Sequence, residues 1–227
     1  MTIFAVVPVK NLSISKRRLS SVFSPQERSM LTLAMLQDVL KALQQSAVDE
    51  IVVIGNDDVV KRMADKFGAF YIEANQDGLN SAIEEAVHWC VREQADWVLI
   101  LPADVPLLTS NDVNQIIELG VSAASMVLSP SNDGGTNALF QSTPTMVSAC
   151  FGPKSFAAHV QEAYCKGVKV RFYSSLNIGN DIDCAADFKK LFLVKNSTLC
   201  REVLEQISSR NPKTSEYLKD SSAISEI

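Results

Sequence analysis

The chain lacks the cysteine and glycine patterns that mark several large protein classes. Its five cysteines include no CxxC pair, and its nine glycines form neither a GxGxxG nor a GxxxxGKS run. Zinc-ligand spacing is therefore missing, as are the phosphate loops of dinucleotide-binding and P-loop proteins. An odd number of scattered cysteines is typical of unpaired thiols in a reducing cytosol.

Excess positive charge and long apolar runs are also missing. The formal net charge is -5, which argues against a nucleic-acid partner, because such proteins need a basic surface to displace counterions from phosphates. No apolar run approaches the roughly 18 residues of a membrane span. The basic stretch 10–18 follows the apolar start instead of preceding it, unlike a secretion signal. We therefore expect a cytoplasmic protein with no nucleic-acid or membrane partner.

What is present is the pattern of one α/β domain. With 227 residues, 47% of them hydrophobic, the chain is long enough for a sizeable core. Buried strands are predicted at 3–9, 50–55, 69–72, 98–101, 125–128 and 168–173. Helical spacing between the first three favours a right-handed βαβαβ unit. We predict a single domain over residues 1–207, a mostly parallel, Rossmann-like sheet flanked by helices, and a polar, flexible tail at 208–227.

The stretch Trp97 to Leu107, WVLILPADVPL, is the most informative. Pro102 ends the buried strand because proline cannot donate a ladder hydrogen bond, so Asp104 falls outside the carboxyl end of the sheet, where α/β sheets bind ligands. A turn aspartate that caps the next helix is the alternative, but residues 109–112 already supply caps for that helix. Asp104 is thus predicted to hold a hard cation such as Mg²⁺ against phosphate oxygens.

A basic loop follows the first strand. Lys10, Lys16, Arg17 and Arg18 place four cations within nine residues. Such a loop could neutralise a triphosphate and its pyrophosphate leaving group. A solvated charged loop with no ligand is the alternative.

Three further loops offer polar groups to a ligand. Gln76 and Gly78 could present an amide and a backbone group to a base, or could simply lead into a helix. The Gly-Gly pair before Thr136 allows a close approach to an anion, or forms a hairpin turn. Gly152 and Ser155 open a helix whose free N–H groups suit a phosphate, with Ser155 as the candidate N-cap.

Two histidines and a last carboxylate pair complete the candidates. His88 is expected to be a helix-surface or core residue, and His159 could face the same ligand as Ser155 or solvent. Asp181 and Asp183 occupy alternate positions, so both can point at one cation when Ile182 turns into the core. Asp183 could instead cap the helix that follows.

Taken together, VPVK with KRRLS, QDGLN, PADVPL, GGTNAL, FGPKSF and DIDCAADF resemble the 2-phospho-L-lactate guanylyltransferase family of deazaflavin coenzyme biosynthesis over roughly residues 3 to 193. The resemblance implies a nucleotide-diphosphosugar transferase fold of the glycosyltransferase-A type. It also implies transfer of GMP from GTP to 2-phospho-L-lactate, which yields lactyl-2-diphospho-5'-guanosine and pyrophosphate. The chain departs from related sugar nucleotidyltransferases in having Pro8-Val9-Lys10 where they carry a glycine-rich LAGGxGxRM start.

The resemblance further implies residue roles. It assigns the Mg²⁺ ligands to Asp104, Asp181 and Asp183, and the acceptor site to Thr136, Gly152 and Ser155. It implies that the triphosphate is bound by Lys10, Lys16 and Arg18, which together with Asp104 form the catalytic set. It also implies that the rest of the nucleotide is bound by Gln76, Gly78 and Pro102.

Other functions stay open at this point. Phosphoenolpyruvate or 3-phosphoglycerate could replace 2-phospho-L-lactate, since pockets rarely separate such acceptors by more than a few kcal/mol. A CTP-dependent or sugar-1-phosphate nucleotidyltransferase and a non-catalytic nucleotide-binding subunit are more distant alternatives. The segment from Thr198 onward has no obvious place in the sheet, so a homodimer built partly from it is also considered.

Overall fold

The computed structural model describes residues 1–13, 16–75, 77–144, 146–192, 198–211 and 214–215. Its strands are β1 (Ile3–Pro8), β2 (Glu50–Gly55), β3 (Phe70–Glu73), β4 (Trp97–Ile100), β5 (Met126–Pro130), β6 (Thr136–Ser142) and β7 (Val170–Phe172). Its α-helices are α1 (Pro25–Gln44), α2 (Asp58–Lys66), α3 (Leu79–Arg92), α4 (Ser110–Ala123), α5 (Ser155–Cys165) and α6 (Leu199–Arg210). Short 3-10 helices span Arg17–Leu19 and Ala185–Phe192.

The strands form one sheet in the order β3-β2-β1-β4-β6-β5-β7. β1 pairs in parallel with β2 and β4, and β2 pairs in parallel with β3. β6 runs antiparallel to both β4 and β5, whereas β7 is again parallel to β5. The predicted mostly parallel α/β fold is confirmed. Because β6 alone is reversed, its amino end lies at the edge where the carboxyl ends of the other strands lie.

Helices cover both faces of this sheet. Along β1, Ile3, Ala5 and Val7 belong to the apolar core beneath α1, α2 and α4, while Phe4 and Val6 belong to the core beneath α3 and α5. Both faces of a central strand are buried, so its side chains are apolar on both faces. The sequences of the central strands are therefore unbroken apolar runs.

Helix α1 begins with a capping box. Ser24 accepts a hydrogen bond from the backbone N–H of Glu27, and the Glu27 carboxylate accepts one from the backbone N–H of Ser24. These reciprocal bonds satisfy two of the amide donors that every helix start leaves free. Leu36, Leu40 and Leu43 are then fully buried against the sheet, so the helix contributes one continuous apolar stripe.

The last helix packs on its own chain. Cys200, Leu204 and Ile207 of α6 are buried in a third apolar cluster with Leu31 and Met35 of α1. The apolar face of α6 is therefore covered within the chain, and the homodimer stays a prediction.

The carboxylate of Asp38 fastens the start of α6 to α1. It accepts hydrogen bonds from the backbone N–H groups of Leu199 and Cys200, each at 2.8 Å. Burial raises the pKa of Asp38 to about 6. The helix continues to Arg210, and most of the predicted tail, residues 212–213 and 216–227, lies outside the described residues. Among the described helices, none is both long and apolar enough to span a membrane.

Candidate active site

An ammonium group between two carboxylates lies at the carboxyl edge of the sheet. The Nζ of Lys16 is 2.5 Å from Oδ2 of Asp104 and 2.8 Å from Oδ1 of Asp183. Only 9% of the Lys16 side chain is exposed. Burial by itself lowers the pKa of Lys16, but the two carboxylates outweigh it and leave that pKa above its ordinary value. Lys16 therefore keeps its positive charge and balances the two carboxylates at this edge of the sheet.

The other predicted phosphate-binding cations lie further out. Nη1 of Arg18 is 3.8 Å from Oδ2 of Asp183, and the Arg18 side chain is 78% exposed. Lys10 is exposed and forms no ion pair within the part of the chain that the structure describes. Pro102 is half-buried in the turn between β4 and Asp104. Of the predicted loop cations, Lys16 is thus the one that contacts both Asp104 and Asp183 directly.

A group of three carboxylates adjoins Lys16. Oxygen atoms of Asp133, Asp181 and Asp183 all lie within 4.8 Å of one another. The structure therefore groups Asp181 and Asp183 with Asp133, which was not among the predicted ligands, while the Asp104 side chain is paired with Lys16. Burial and the charge of Asp104 raise the pKa of Asp181. Three carboxylates that converge in this way suit a hard divalent cation such as Mg²⁺.

Asp133 owes its place to the turn between β5 and β6. Its Oδ1 accepts hydrogen bonds from the Ser131 hydroxyl and, at 3.1 Å, from the Gly135 backbone N–H. These bonds lower the pKa of Asp133. Gly134 has a φ of 88°, a conformation that glycine adopts without strain. The Gly-Gly pair does form a hairpin turn, and that turn carries a carboxylate to the site.

Backbone contacts fasten the segment that carries Asp181 and Asp183. The N–H of Ile182 donates to the carbonyl of Asp104 at 2.9 Å, and the Ile182 side chain is buried as predicted. The buried amide of Asn137 donates to the Ile178 carbonyl at 2.8 Å and to Asp181 at 3.3 Å. The β4 loop, β6 and the Asp181 segment are thus joined directly.

A second clamp holds the same segment from α4. Asp112 is 2% exposed and accepts hydrogen bonds from Tyr173 at 2.8 Å, Ser175 at 2.6 Å and Asn177 at 3.1 Å. It also forms the predicted capping box with Thr109. Burial alone would raise the pKa of Asp112, but these hydrogen bonds outweigh it and lower that pKa. One carboxylate therefore starts α4 and anchors the approach to Asp181.

The predicted acceptor residues meet beside the carboxylates. Thr136 is the first residue of the reversed strand β6, and Ser155 is the first of α5. The Ser155 hydroxyl donates to Oγ1 of Thr136 at 3.2 Å. Gly152 has a φ of 140°, and its carbonyl accepts the N–H of Ser155 at 3.1 Å. Thr136 and Ser155 are both buried, and in such surroundings a hydrogen bond to an anion is strong.

One expectation about this helix is wrong, and one of two open alternatives is excluded. Ser155 is not the N-cap of α5, because Lys154 occupies that position without a side-chain hydrogen bond and the Ser155 hydroxyl is engaged with Thr136. His159 does not face solvent, since it is fully buried. Its Nδ1 lies 3.0 Å from Oγ1 of Thr136, and its Nε2 accepts the Cys150 backbone N–H at 3.0 Å.

The predicted base-binding side adjoins the acceptor side. Gly78, with a φ of 110°, is the N-cap residue of α3, and Gln76 lies outside the described residues. The Asn80 amide exchanges two hydrogen bonds with the backbone of Phe151, at 3.1 and 2.8 Å. These bonds tie the start of α3 to the loop that carries Gly152.

A cavity of about 230 Å³ lies between α3, the sheet and the segment 147–149, and its lining includes Glu84, His88 and Gln141. It shares no lining residue with the carboxylate group. His88 is an exposed helix-surface residue, one of the two positions that the sequence allowed.

Comparison with known proteins points to one family. The family model described as guanylyl transferase CofC like matches residues 3–221. A phosphoenolpyruvate guanylyltransferase of Rubrobacter xylanophilus is 38% identical over 192 residues, which cover 84% of this chain and 94% of the relative. A 2-phospho-L-lactate guanylyltransferase of Methanothermobacter thermautotrophicus is 37% identical over 204 residues, 89% of this chain and 90% of the relative.

Solved structures agree on the fold. A putative nucleotide-diphospho-sugar transferase of Desulfovibrio desulfuricans superposes with a TM-score of 0.78 at 16% identity, covering 96% of this chain and 99% of that one. A nucleotidyl transferase of Methanothermobacter superposes with a TM-score of 0.61 at 15% identity, covering 86% of this chain and 99% of that one. At such identities the likeness concerns the fold alone.

Proposed function

Because the chain belongs to the family of CofC-like guanylyl transferases, we propose that it transfers GMP from GTP to 2-phospho-L-lactate and releases pyrophosphate. It is a nucleotidyltransferase by family. One observation carries the proposal furthest: Asp133 and Thr136 stand on the same turn, so the carboxylate group and the buried hydroxyl pair are neighbours along the chain. A site for a cation and triphosphate thus adjoins a site for a small anion.

The chemistry needs little from side chains beyond charge and position. The acceptor phosphate is already ionised near neutral pH, so one of its oxygens can attack the α-phosphorus of GTP without a general base. The new bond joins that oxygen to the α-phosphorus, and the bond from the α-phosphorus to the bridging oxygen of pyrophosphate breaks. Alignment of the two substrates supplies much of the rate enhancement.

Lys16 and the carboxylates divide the charge of the site. Asp133, Asp181 and Asp183 would hold Mg²⁺, which would neutralise triphosphate oxygens and the departing pyrophosphate. Lys16 neutralises Asp104 and Asp183, and its ammonium can donate to phosphate oxygens at the same edge. Thr136 would offer its buried hydroxyl to the phosphate or carboxylate of the acceptor, and Ser155, which donates to Thr136, would hold that hydroxyl in place.

Phosphoenolpyruvate is the second candidate acceptor. Relatives named for the two acceptors are 38% and 37% identical to this chain, so overall identity does not separate them. Both acceptors carry a phosphate and a carboxylate on a three-carbon skeleton, and they differ by a double bond beside the phosphate. Such a difference is worth only a few kcal/mol in most pockets.

A substrate matrix tests the proposal. Pyrophosphate release is measured with Mg²⁺ for GTP, ATP, CTP and UTP, each paired with 2-phospho-L-lactate, phosphoenolpyruvate, 3-phosphoglycerate or glucose 1-phosphate. Release confined to GTP with a three-carbon phosphoacid supports guanylyl transfer and names the acceptor. Silence in every pair from folded protein, or release only from CTP with the sugar phosphate, would reject it.

A further inference from the structure

We propose that His159 is a positioning residue that makes the Thr136 hydroxyl a dedicated hydrogen-bond donor to the anionic acceptor substrate. This inference rests on the proposed function, because it concerns the acceptor site of that reaction. Its structural basis is a buried chain of hydrogen bonds that runs from the Cys150 backbone through the imidazole to Thr136.

The first step is the tautomer of the imidazole. The Cys150 backbone N–H lies 3.0 Å from Nε2 of His159, and a backbone N–H can only donate. Nε2 must therefore be unprotonated, and in a neutral ring the proton then resides on Nδ1. Burial lowers the pKa of His159, against a smaller opposing effect of the Glu162 carboxylate, so the neutral ring is the form present near neutral pH.

The second step concerns the hydroxyl of Thr136. Nδ1–H of His159 donates to Oγ1 of Thr136 at 3.0 Å, and the Ser155 hydroxyl donates to the same oxygen at 3.2 Å. A hydroxyl oxygen has two acceptor positions, and these two donors fill both. The remaining hydrogen-bonding capacity of Thr136 is its own proton, which is left to donate.

The third step is the direction of that donation. Thr136 begins β6 at the sheet edge that carries the carboxylates, and the turn before it contains Asp133. Thr136, Ser155 and His159 are 5%, 2% and 0% exposed, so the donor acts in a medium of low dielectric, where a hydrogen bond to an anion is strong. A phosphate or carboxylate oxygen of the acceptor is the chemical group that such a donor recognises.

The two ring nitrogens allow this role to be separated from a purely structural one. In His159→Asn the side-chain amide can still donate near the position of Nδ1, so the contact with Thr136 is retained. In His159→Gln the longer side chain can still accept near the position of Nε2, so the contact with Cys150 is retained. A residue that only held the Cys150 loop would be replaced better by glutamine.

Steady-state kinetics then decide between the roles. In His159→Gln, Thr136 loses the partner that directs its proton toward the charged acceptor. We expect the acceptor KM to rise by about 10- to 100-fold, the usual effect of losing one hydrogen bond to a charged group, while the GTP KM changes by less than about twofold. His159→Asn should keep the acceptor KM within about threefold of the wild type. The matched changes His88→Gln and His88→Asn, at the exposed histidine of α3, should leave both constants unchanged. Equal losses in the two His159 variants, or a larger loss in His159→Asn, would overturn the proposal.

Nitrogen-15 NMR of the imidazole rings tests the premise without any turnover. The chain has two histidines, so His159→Asn assigns the spectrum by loss of one ring. The Nδ1–H tautomer is expected for His159 in the unliganded protein, and the Nε2–H tautomer would overturn the proposal. A wild type that shows the expected tautomer but turns over no three-carbon phosphoacid would instead reject the proposed function, and the acceptor role of His159 with it.

Discussion

Replacement of Asp112 by asparagine should loosen the segment that carries Asp181 and Asp183. The carboxylate is 2% exposed and accepts hydrogen bonds from Tyr173, Ser175 and Asn177. Asparagine keeps one oxygen but places an NH₂ group where the other oxygen accepted. The Tyr173 and Ser175 hydroxyls can rotate to accept from that group, whereas a backbone N–H cannot.

The magnitude follows from which oxygen is replaced. Tyr173 and Ser175 donate to Oδ1 of Asp112, whereas the backbone N–H of Thr109, at 3.0 Å, donates to Oδ2. An NH₂ group in the place of Oδ1 leaves each of these groups with a partner, so the cost is the lost charge of the acceptor. Hydrogen bonds to a charged acceptor contribute about 1.5–3 kcal/mol and neutral ones about 1 kcal/mol, so we expect Asp112→Asn to lower the free energy of unfolding by about 2 kcal/mol.

The pH dependence adds a second signature. The pKa of Asp112 is held below its ordinary value by its hydrogen bonds, which outweigh the opposing effect of burial. Its stabilising contribution is therefore fully present above the unfolded-state pKa of about 3.9 and is lost as pH falls through the lower pKa of the folded state. The gap between wild type and Asp112→Asn should stay constant from about pH 7 to 5 and close below about pH 4.

Urea unfolding across this pH range measures the gap. The control is Asp58→Asn, which removes an exposed carboxylate from the first turn of α2 and should cost less than about 1 kcal/mol. A gap at neutral pH no larger than that of the control would refute the clamp, as would a gap that widens on acidification.

Three further changes probe the charges and the core. Asp104→Asn should lower turnover by at least about a hundredfold in folded protein, because it removes a preorganised charge from Lys16; near-normal pyrophosphate release would contradict this. Lys16→Met should raise the Mg²⁺ affinity of the nucleotide-free protein by about tenfold, because the Lys16 ammonium competes with the cation for the same carboxylates. The Arg18 side chain is 78% exposed, so Arg18→Met should change that affinity by less than about twofold. Calorimetric titration with Mg²⁺ compares the two variants. Leu204→Ala in α6 should lower the free energy of unfolding by about 2–5 kcal/mol. The control is Leu176→Ala, at a residue that is 83% exposed, which should lower it by less than about 0.5 kcal/mol. Urea titration measures both values.

The fold was predictable because its signals are local. The capping boxes at Ser24 and Thr109 lie within four residues, and a strand buried on both faces is apolar whatever its neighbours are. The reversed direction of β6 was not predicted, because strand direction depends on which neighbours pair. Bounds such as those of β3, predicted at 69–72 and found at Phe70–Glu73, differ by the residue or so that fraying ends allow.

The position of the candidate site could be predicted from the sequence, but the contacts between its side chains could not. Asp104, Asp181 and Asp183 each follow a recognisable signal, but Lys16 and Asp133 acquire their neighbours through contacts between distant segments. An aspartate before a Gly-Gly pair is an ordinary turn signal. Only the antiparallel pairing of β5 and β6 places that turn at the carboxyl edge of the sheet, where Asp133 meets two other carboxylates.

The same reversed strand brings the two proposed substrate sites together. In a fully parallel sheet, the amino end of a strand lies at the edge opposite the ligand-binding edge. Because β6 runs against β4 and β5, its first residue, Thr136, stands at the binding edge instead. The turn before it ends in two glycines, so Asp133 can face Asp181 and Asp183 while Thr136 faces α5. A carboxylate and a hydroxyl three positions apart can then serve the triphosphate and the acceptor, which keeps the attacking phosphate close to the α-phosphorus that it must reach.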